Sequence, residues 1–122
     1  MNLNDFEVYR MAMDFGEDVY NLVMTFNHFN KNTVGIQLVT SSDSVAANIS
    51  EGFGRYYYKD KMRFYFYARG SLFESQTWIE KSFKRQMFDE KTFIELINQI
   101  KKIGIKLNNT ISQLKLKSEN TE

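Results

Sequence analysis

The sequence predicts an all-α protein, an antiparallel four-helix bundle with up-down-up-down topology. The chain has 122 residues and no proline, so nothing in it obliges a long helix to break. Apolar residues recur every three or four positions in four successive segments, as in helices with one buried face. Loops of about five to seven residues join these segments, a length that favours antiparallel neighbours.

The first predicted helix covers residues 5–27. Asn4 is its expected N-cap, and Glu7 stands three positions later, where it completes a capping box. The following segment, 27–33, contains three asparagines outside any apolar periodicity, and it is a predicted loop.

The second predicted helix begins near Thr33 and ends at Gly52, where we expect a left-handed glycine cap. Gly54 then tightens the turn. Small residues around Ser41 and Ala46 allow another helix to approach closely. The predicted inner face consists of Val34, Leu38, Ser41, Val45 and Ile49.

The third predicted helix runs over residues 59–83 and carries two apolar faces. One face points away from the core and contains Met62, Phe66 and Phe73. A second apolar face on a small bundle predicts that another chain covers it, so we expect a homo-oligomer. The face predicted to line the core consists of Phe64, Ala68, Ser71, Leu72, Ser75, Trp78 and Ile79.

The fourth predicted helix has Asp89 as its cap and a hydrophobic staple between Phe88 and Phe93. Residues 1–116 form the predicted single domain, and 117–122 a polar, frayed tail. The apolar seam is heptad-like, with Leu96 and Ile103 widening it. It consists of Phe93, Ile97, Ile100, Gly104, Leu107, Ile111 and Leu114.

The composition excludes several classes of site. The chain has no cysteine, which excludes disulfides, thiolate zinc sites and cysteine nucleophiles. Its one histidine, His28, cannot supply a di-iron centre or a metal site with two imidazoles. We therefore expect no metal, no cofactor and no enzymatic activity. The acidic N-terminus and the lack of a long apolar run predict a cytoplasmic protein with no membrane partner.

Charge is unevenly distributed along the chain. Residues 1–30 carry one basic and five acidic side chains, whereas residues 54–85 carry eight basic and three acidic ones. Two interpretations are open. The oppositely charged segments pack against each other, within one chain or between chains, or the basic segment faces phosphate.

Basic residues recur every four positions at the start of the third predicted helix, interleaved with aromatic residues such as Tyr56 and Phe66. Cations neutralise phosphates while aromatic rings stack on unpaired bases, so this pattern is a candidate nucleic-acid surface. The alternative is a solvated edge that meets acidic residues. The candidate nucleic-acid contacts are Arg55, Lys59, Arg63, Arg69, Lys81, Lys84 and Arg85.

The polar residues Gln37, Asn48 and Glu51 of the second predicted helix lie close to apolar neighbours. A partly buried carboxylate requires a partner, and Arg55 or Arg69 is available. The favoured interpretation is an ion pair that locks the turn, and the alternative is a polar pocket there.

The middle of the chain resembles a bacterial family of four-helix bundles encoded in intervening sequences of 23S rRNA genes. The resemblance spans about residues 34–80 with its internal spacing preserved. It is carried by Gln37-Leu38, Ser44-Val45, Asn48-Ile49-Ser50-Glu51-Gly52-Phe53-Gly54-Arg55, Ala68-Arg69-Gly70-Ser71-Leu72 and Glu74.

This resemblance implies a homopentamer with a central channel and no established enzymatic activity. It also implies kinship with the accessory variability determinants of diversity-generating retroelements, which bind nucleic acid through a basic surface. The chain departs from the family pattern at Val39 and Thr40, where basic residues are usual. The family-type residues, expected to shape the junction of the second and third helices and the subunit contact, are Gln37, Asn48, Glu51, Gly52, Gly54, Arg55, Arg69, Gly70, Ser71 and Glu74.

Two functional hypotheses follow. The first is a non-enzymatic, homo-oligomeric scaffold that binds structured RNA or DNA through the basic edge of the third predicted helix. The second is a protein interaction module that makes no direct contact with nucleic acid.

Overall fold

A computed structural model describes residues 1–121, and over this range the chain is helical with no strand. A single 3₁₀ turn, Leu3–Asp5, precedes the first helix. Four long helices and one short helix follow. They are α1 (Glu7–Val23), α2 (His28–Lys31), α3 (Val34–Phe53), α4 (Tyr58–Lys84) and α5 (Glu90–Thr121).

The four long helices form the predicted bundle. Helix α1 packs against α3 and α5, and α4 packs against the same two helices. Helices α1 and α4 therefore occupy opposite corners, and the contact between α3 and α4 is the most extensive in the bundle. This arrangement excludes the packing of acidic α1 against basic α4 within one chain.

Both ends of the first predicted helix differ from expectation. The capping box forms one turn earlier, between Asn2 and Asp5, so Asn4 does not cap α1. Phe6 stands at the N-cap position of α1 instead, and its ring packs against Phe53 and Tyr65. At the other end α1 stops at Val23, four residues before the predicted end.

The segment after α1 is more ordered than predicted. The side chain of Asn27 accepts a hydrogen bond from the backbone N–H of Asn30 at 2.8 Å. This cap begins a one-turn helix that contains His28, which was expected in a loop. The exposed His28 ring lies 3.3 Å from the side-chain amide of Asn32.

The inner face predicted for α3 is confirmed: its five residues are all buried. Small side chains let α3 and α4 approach closely, as expected. The hydroxyl of Ser75 lies 3.2 Å from that of Ser41 between the two helices and 2.9 Å from the carbonyl oxygen of Ser71, and either oxygen can accept its one proton. The hydroxyl of Ser41 donates to the carbonyl of Gln37 at 2.8 Å. Every described buried side-chain polar atom has a partner.

Gly52 is not a left-handed cap, which corrects the expectation from the sequence. It is helical and buried, and no glycine has a positive φ among residues 1–121. A methyl group on Gly52 would lie 2.6 Å from Cε1 of Tyr65 and 3.0 Å from the carbonyl oxygen of Lys61. The glycine is needed because α4 crosses very close to α3 at this point.

Lys61 caps the C-terminal end of α3 from outside that helix. Its ammonium donates to the carbonyl oxygen of Phe53 at 2.8 Å and lies 3.4 Å from that of Gly52. A positive charge at the C-terminal end of a helix satisfies free carbonyls and interacts favourably with the helix dipole. Partial burial lowers the pKa of Lys61 from its usual value.

The buried faces of α4 and α5 are rotated slightly from those predicted. In α4, Ala68, Leu72, Ser75 and Ile79 are buried as expected, whereas Phe64, Ser71 and Trp78 lie half-buried at the edge. Tyr65 and Ser82 complete the buried face. In α5, Leu96 and Ile103 lie at the centre of the seam, and Phe93, Ile97 and Gly104 lie at its edge.

The turn between α4 and α5 is tightly specified. Gln86 has a φ of 62°, and the N–H of Met87 donates to the carbonyl of Ser82 at 3.1 Å. This is the Schellman arrangement, with glutamine where glycine is usual. Asp89 caps α5 as predicted, accepting from the N–H of Thr92 at 2.9 Å.

Helix α5 continues to Thr121, so most of the predicted frayed tail is helical. Ser118 in this part is buried. Glu122, the last residue of the predicted tail, lies outside the described residues. Along residues 1–121 no helix combines the length and the apolar character that crossing a membrane requires.

Candidate nucleic-acid interface

Two arginines, Arg55 in the turn before α4 and Arg63 in the second turn of α4, meet on one aromatic ring. The guanidinium carbon of Arg55 lies 4.6 Å from the centroid of the Phe64 ring, and that of Arg63 lies 5.1 Å from it. Cations within about 6 Å of a ring centroid are attracted by the ring's quadrupole. Phe64, expected in the core, instead holds two cations at the surface.

Each of these arginines has one acidic neighbour. Arg55 pairs with Glu51 at 3.4 Å, and Arg63 pairs with Asp60 at 3.3 Å. The four side chains are between 41% and 58% exposed. Exposed pairs of this kind contribute about 0–1 kcal/mol, so a phosphate group competes readily for either arginine.

Two exposed tyrosines follow Arg55 directly in the chain, and a third contacts Phe64. Tyr56 and Tyr57 lie in the turn before α4, with ring centroids 5.0 Å apart and ring planes nearly perpendicular. The rings of Tyr67 and Phe64 are nearly perpendicular, with centroids 5.5 Å apart. We name Arg55, Arg63, Phe64, Tyr56 and Tyr57 the arginine–aromatic cluster. Such a cluster can bind phosphate and stack on an unpaired base at the same time.

Apart from Lys59, the other predicted basic residues do not form one surface with this cluster. Lys59 lies in the first turn of α4, beside it, whereas Arg69 lies midway with its guanidinium 5.8 Å from the Phe73 ring centroid. Lys81 is about 33 Å from Lys59 along the helix axis, at 1.5 Å per residue. Lys81, Lys84 and Arg85 therefore form a separate group at the far end of α4.

Comparison with known proteins assigns the chain to a family. A family model described as 23S rRNA-intervening sequence protein matches residues 4–109. The chain belongs to this family. A similar solved structure is a protein of unknown function from the S23 ribosomal protein family of Bacteroides thetaiotaomicron, at 20% identity and a TM-score of 0.77. The match covers 85% of this chain and 97% of that one, and at this identity it supports the fold. No curated protein matches the chain.

Family-type residues from α3 play distinct structural roles. Glu51 forms the expected pair with Arg55, but this pair is exposed rather than partly buried. Asn48 donates from its side-chain amide to the carbonyl of Ser44 at 2.8 Å, within its own helix. Gly54 ends α3 with right-handed backbone angles.

The polar pocket considered at the end of α3 is a shallow surface groove of about 350 Å³, lined by Ser50, Glu51, Gly54 and Arg55. Gln37 lies apart from it, in a groove with Trp78 and Arg85 near the other end of α3. The two halves of the family motif on α3 therefore face different grooves.

The family-type residues of α4 divide between a buried edge and an open face. Ser71 is half-buried, and its carbonyl accepts from the hydroxyl of Ser75 at 2.9 Å. Glu74 accepts from the indole N–H of Trp78 at 3.1 Å. Gly70 is exposed, and a methyl group there would meet no atom within 4 Å.

The predicted oligomer face is exposed at two of its three residues. Phe66 is 50% exposed and Phe73 is 58% exposed, on either side of Gly70. Met62 packs against the core instead, which corrects its expected outward position. Phe66, Gly70 and Phe73 thus form an uncovered apolar stripe on α4.

The sequence reasoning missed the role of two residues next to the motif. Phe64 was assigned to the core because its spacing fits the apolar series, yet Arg55 and Arg63 flank it in space. Arg63 directly precedes Phe64 in the sequence, and this proximity could have indicated the contact between the arginine and the ring. Lys61 is one of the eight basic residues of the segment 54–85, and its binding to the α3 carbonyls depends on the tight turn between the helices.

Proposed function

We propose that this protein is a non-enzymatic, cytoplasmic, homo-oligomeric scaffold that binds structured RNA or DNA through the arginine–aromatic cluster. The observation that carries the proposal is the pair of guanidinium groups on the Phe64 ring beside two exposed tyrosines. The rings offer stacking surfaces for unpaired bases, and the arginines offer planar donors to phosphate.

Self-association is the second part of the proposal. The exposed Phe66 and Phe73 support it, because contiguous apolar surface on a small soluble domain usually marks an interaction site. Membership of the 23S rRNA-intervening sequence family also supports it, through the pentamer that the resemblance implies. In an oligomer the cluster is repeated, so weak binding at each copy adds by avidity.

Fluorescence anisotropy with a labelled RNA hairpin that carries an unpaired loop tests the nucleic-acid part. The probe is titrated with protein at several salt concentrations, and a DNA duplex serves as the second ligand. We expect binding that weakens steeply with salt. Neutralising Arg55 and Arg63 together should lower the affinity for the hairpin and reduce the salt slope by about two.

A matched control removes two positive charges elsewhere. Lys91→Ala with Lys101→Ala changes exposed residues in the first half of α5, which lies beside the C-terminal half of α4 rather than beside the cluster, and should leave affinity nearly unchanged. Equal losses in the two double variants would mean that only net charge matters, which contradicts a site at the cluster. No binding at low salt would refute the nucleic-acid part and leave the protein interaction module, whose partner a pull-down would seek.

A further inference from the structure

Helices α1 and α4 each carry an exposed apolar stripe with the same spacing. Met13 and Tyr20 of α1 and Met24, the C-cap residue of that helix, are between 44% and 50% exposed. On α4, Phe66 and Phe73 are exposed about Gly70. Met13 and Tyr20, like Phe66 and Phe73, are seven residues apart, which is about 10 Å along a helix. The Met13–Tyr20 part of the α1 stripe therefore matches the α4 stripe in length, and Met24 extends it by about one turn.

The helices that carry the two stripes have opposite net charge. Helix α1 contains four acidic residues and one basic residue, and α4 contains six basic and three acidic residues. Asp43 of α3 adds to the acidic side, since it lines a groove with Met13 and Glu17 of α1. Partial burial there and the nearby Glu17 raise the pKa of Asp43.

Geometry prevents these surfaces from meeting within one chain. Helices α1 and α4 occupy opposite corners of the bundle, and α3 and α5 lie between them. Each stripe therefore remains uncovered in a single copy. Complementary charge on two different surfaces of the same molecule favours contact between copies.

We propose that the α4 stripe of one copy packs against the α1 stripe of the next copy, in a head-to-tail contact. This inference rests on the proposed self-association and specifies its surfaces. Gly70 provides an open notch between Phe66 and Phe73, into which Met or Tyr side chains of α1 fit. Methionine sulfur makes favourable contacts with aromatic rings, and the flanking charges orient the two helices. Such a contact forms a ring when the rotation between copies closes.

Two variants that block one surface each provide the test. Phe73→Glu places a negative charge on the α4 stripe, and Tyr20→Glu does so on the α1 stripe. Both residues are exposed, so the bundle should fold in each variant, which circular dichroism checks. Ile105→Glu, an exposed apolar residue on α5, is the matched control. Masses are measured by size-exclusion chromatography with light scattering, without nucleic acid.

The head-to-tail contact predicts a specific pattern. Each blocked variant alone should be a 14.5 kDa monomer, while the native chain and Ile105→Glu should associate. An equal mixture of the two blocked variants should give a dimer of one copy of each, and nothing larger. The intact α4 stripe of the Tyr20→Glu chain then meets the intact α1 stripe of the Phe73→Glu chain.

The other outcomes distinguish self-association itself from the specific contact between the α4 and α1 stripes. A native chain that remains monomeric at high concentration would refute self-association itself. A native oligomer that survives in Tyr20→Glu, or blocked variants that fail to pair when mixed, would refute only the α4–α1 contact. Association that does not weaken as salt rises would also contradict it, because the contact joins opposite charges.

Discussion

Replacing Gly52 by alanine tests the close crossing of α3 and α4. The added methyl carbon would lie 2.6 Å from Cε1 of Tyr65 and 3.0 Å from the carbonyl oxygen of Lys61. Neither neighbour moves easily, since one atom belongs to a buried ring and the other to helix backbone. Overpacking of this kind costs about 1–3 kcal/mol, against a gain of about 0.5–1 kcal/mol in helix propensity.

Gly104 offers a matched control in α5. A methyl group there would meet only Cδ2 of Leu72, at an ordinary contact distance of 3.7 Å. Gly104→Ala should therefore be stabilised by most of the difference in helix propensity between glycine and alanine. A change of 1 kcal/mol shifts the melting temperature of a domain this size by about 4 °C. We expect Gly52→Ala to melt several degrees below the native protein and Gly104→Ala about 2–4 °C above it.

Thermal and urea unfolding followed by circular dichroism measure both shifts. A double-mutant cycle with Tyr65→Leu then identifies the clash: making room at position 65 should recover at least about 0.5 kcal/mol of the loss at Gly52. A Gly52→Ala protein as stable as the native one would refute the argument. A loss of stability with no coupling to Tyr65 would mean that the added methyl group clashes with the Lys61 carbonyl instead.

Three further changes test the helix ends. Lys61→Met removes the ammonium that binds the Phe53 carbonyl, and urea unfolding should show a loss of about 1–2 kcal/mol in stability. Lys115→Met changes an exposed lysine and is the control. Equal effects of the two substitutions would contradict the cap. Gln86→Gly relieves the backbone strain of a residue with a φ of 62°, so it should stabilise the protein by about 0.5–1 kcal/mol and raise the melting temperature. A lower melting temperature would mean that the glutamine side chain stabilises the turn. Asp89→Ala removes the α5 cap and should lower the melting temperature at neutral pH. Hydrogen bonds from Thr92 lower the pKa of Asp89 below its usual 3.8, so the charged cap stabilises the fold fully above that pH. The difference in melting temperature between Asp89→Ala and the native protein should therefore shrink as the pH falls through the lowered pKa. A difference independent of pH would contradict the charged cap.

The sequence predicted the helices well because their apolar periodicity is strong. All five residues predicted for the inner face of α3 are buried, and Asp89 caps α5. Helix ends were predicted less well, since caps depend on a few local hydrogen bonds that neighbouring residues can replace. Asn2 rather than Asn4 forms the capping box, because Phe6 leaves the helical series to pack against Phe53.

The candidate site was only partly accessible from the sequence. Arg55 and Arg63 were identified from their spacing, but their meeting on Phe64 depends on the turn that brings position 55 beside α4. Lys81 belonged to the same predicted set, yet it lies at the other end of a 27-residue helix. Spacing along a chain does not reveal which residues a long rigid helix keeps apart.

The sequence by itself determined the fold class, the order of the helices and the family, because periodic burial and the motif residues are local properties. Only the tertiary structure decided which of two adjacent faces of α4 is buried, since periodicity leaves an uncertainty of about one residue in helix phase. It also decided that Gly52 serves close packing against Tyr65 rather than a left-handed cap. The placement of α1 and α4 at opposite corners depends likewise on contacts between distant segments, and it leaves their opposite charges facing outward.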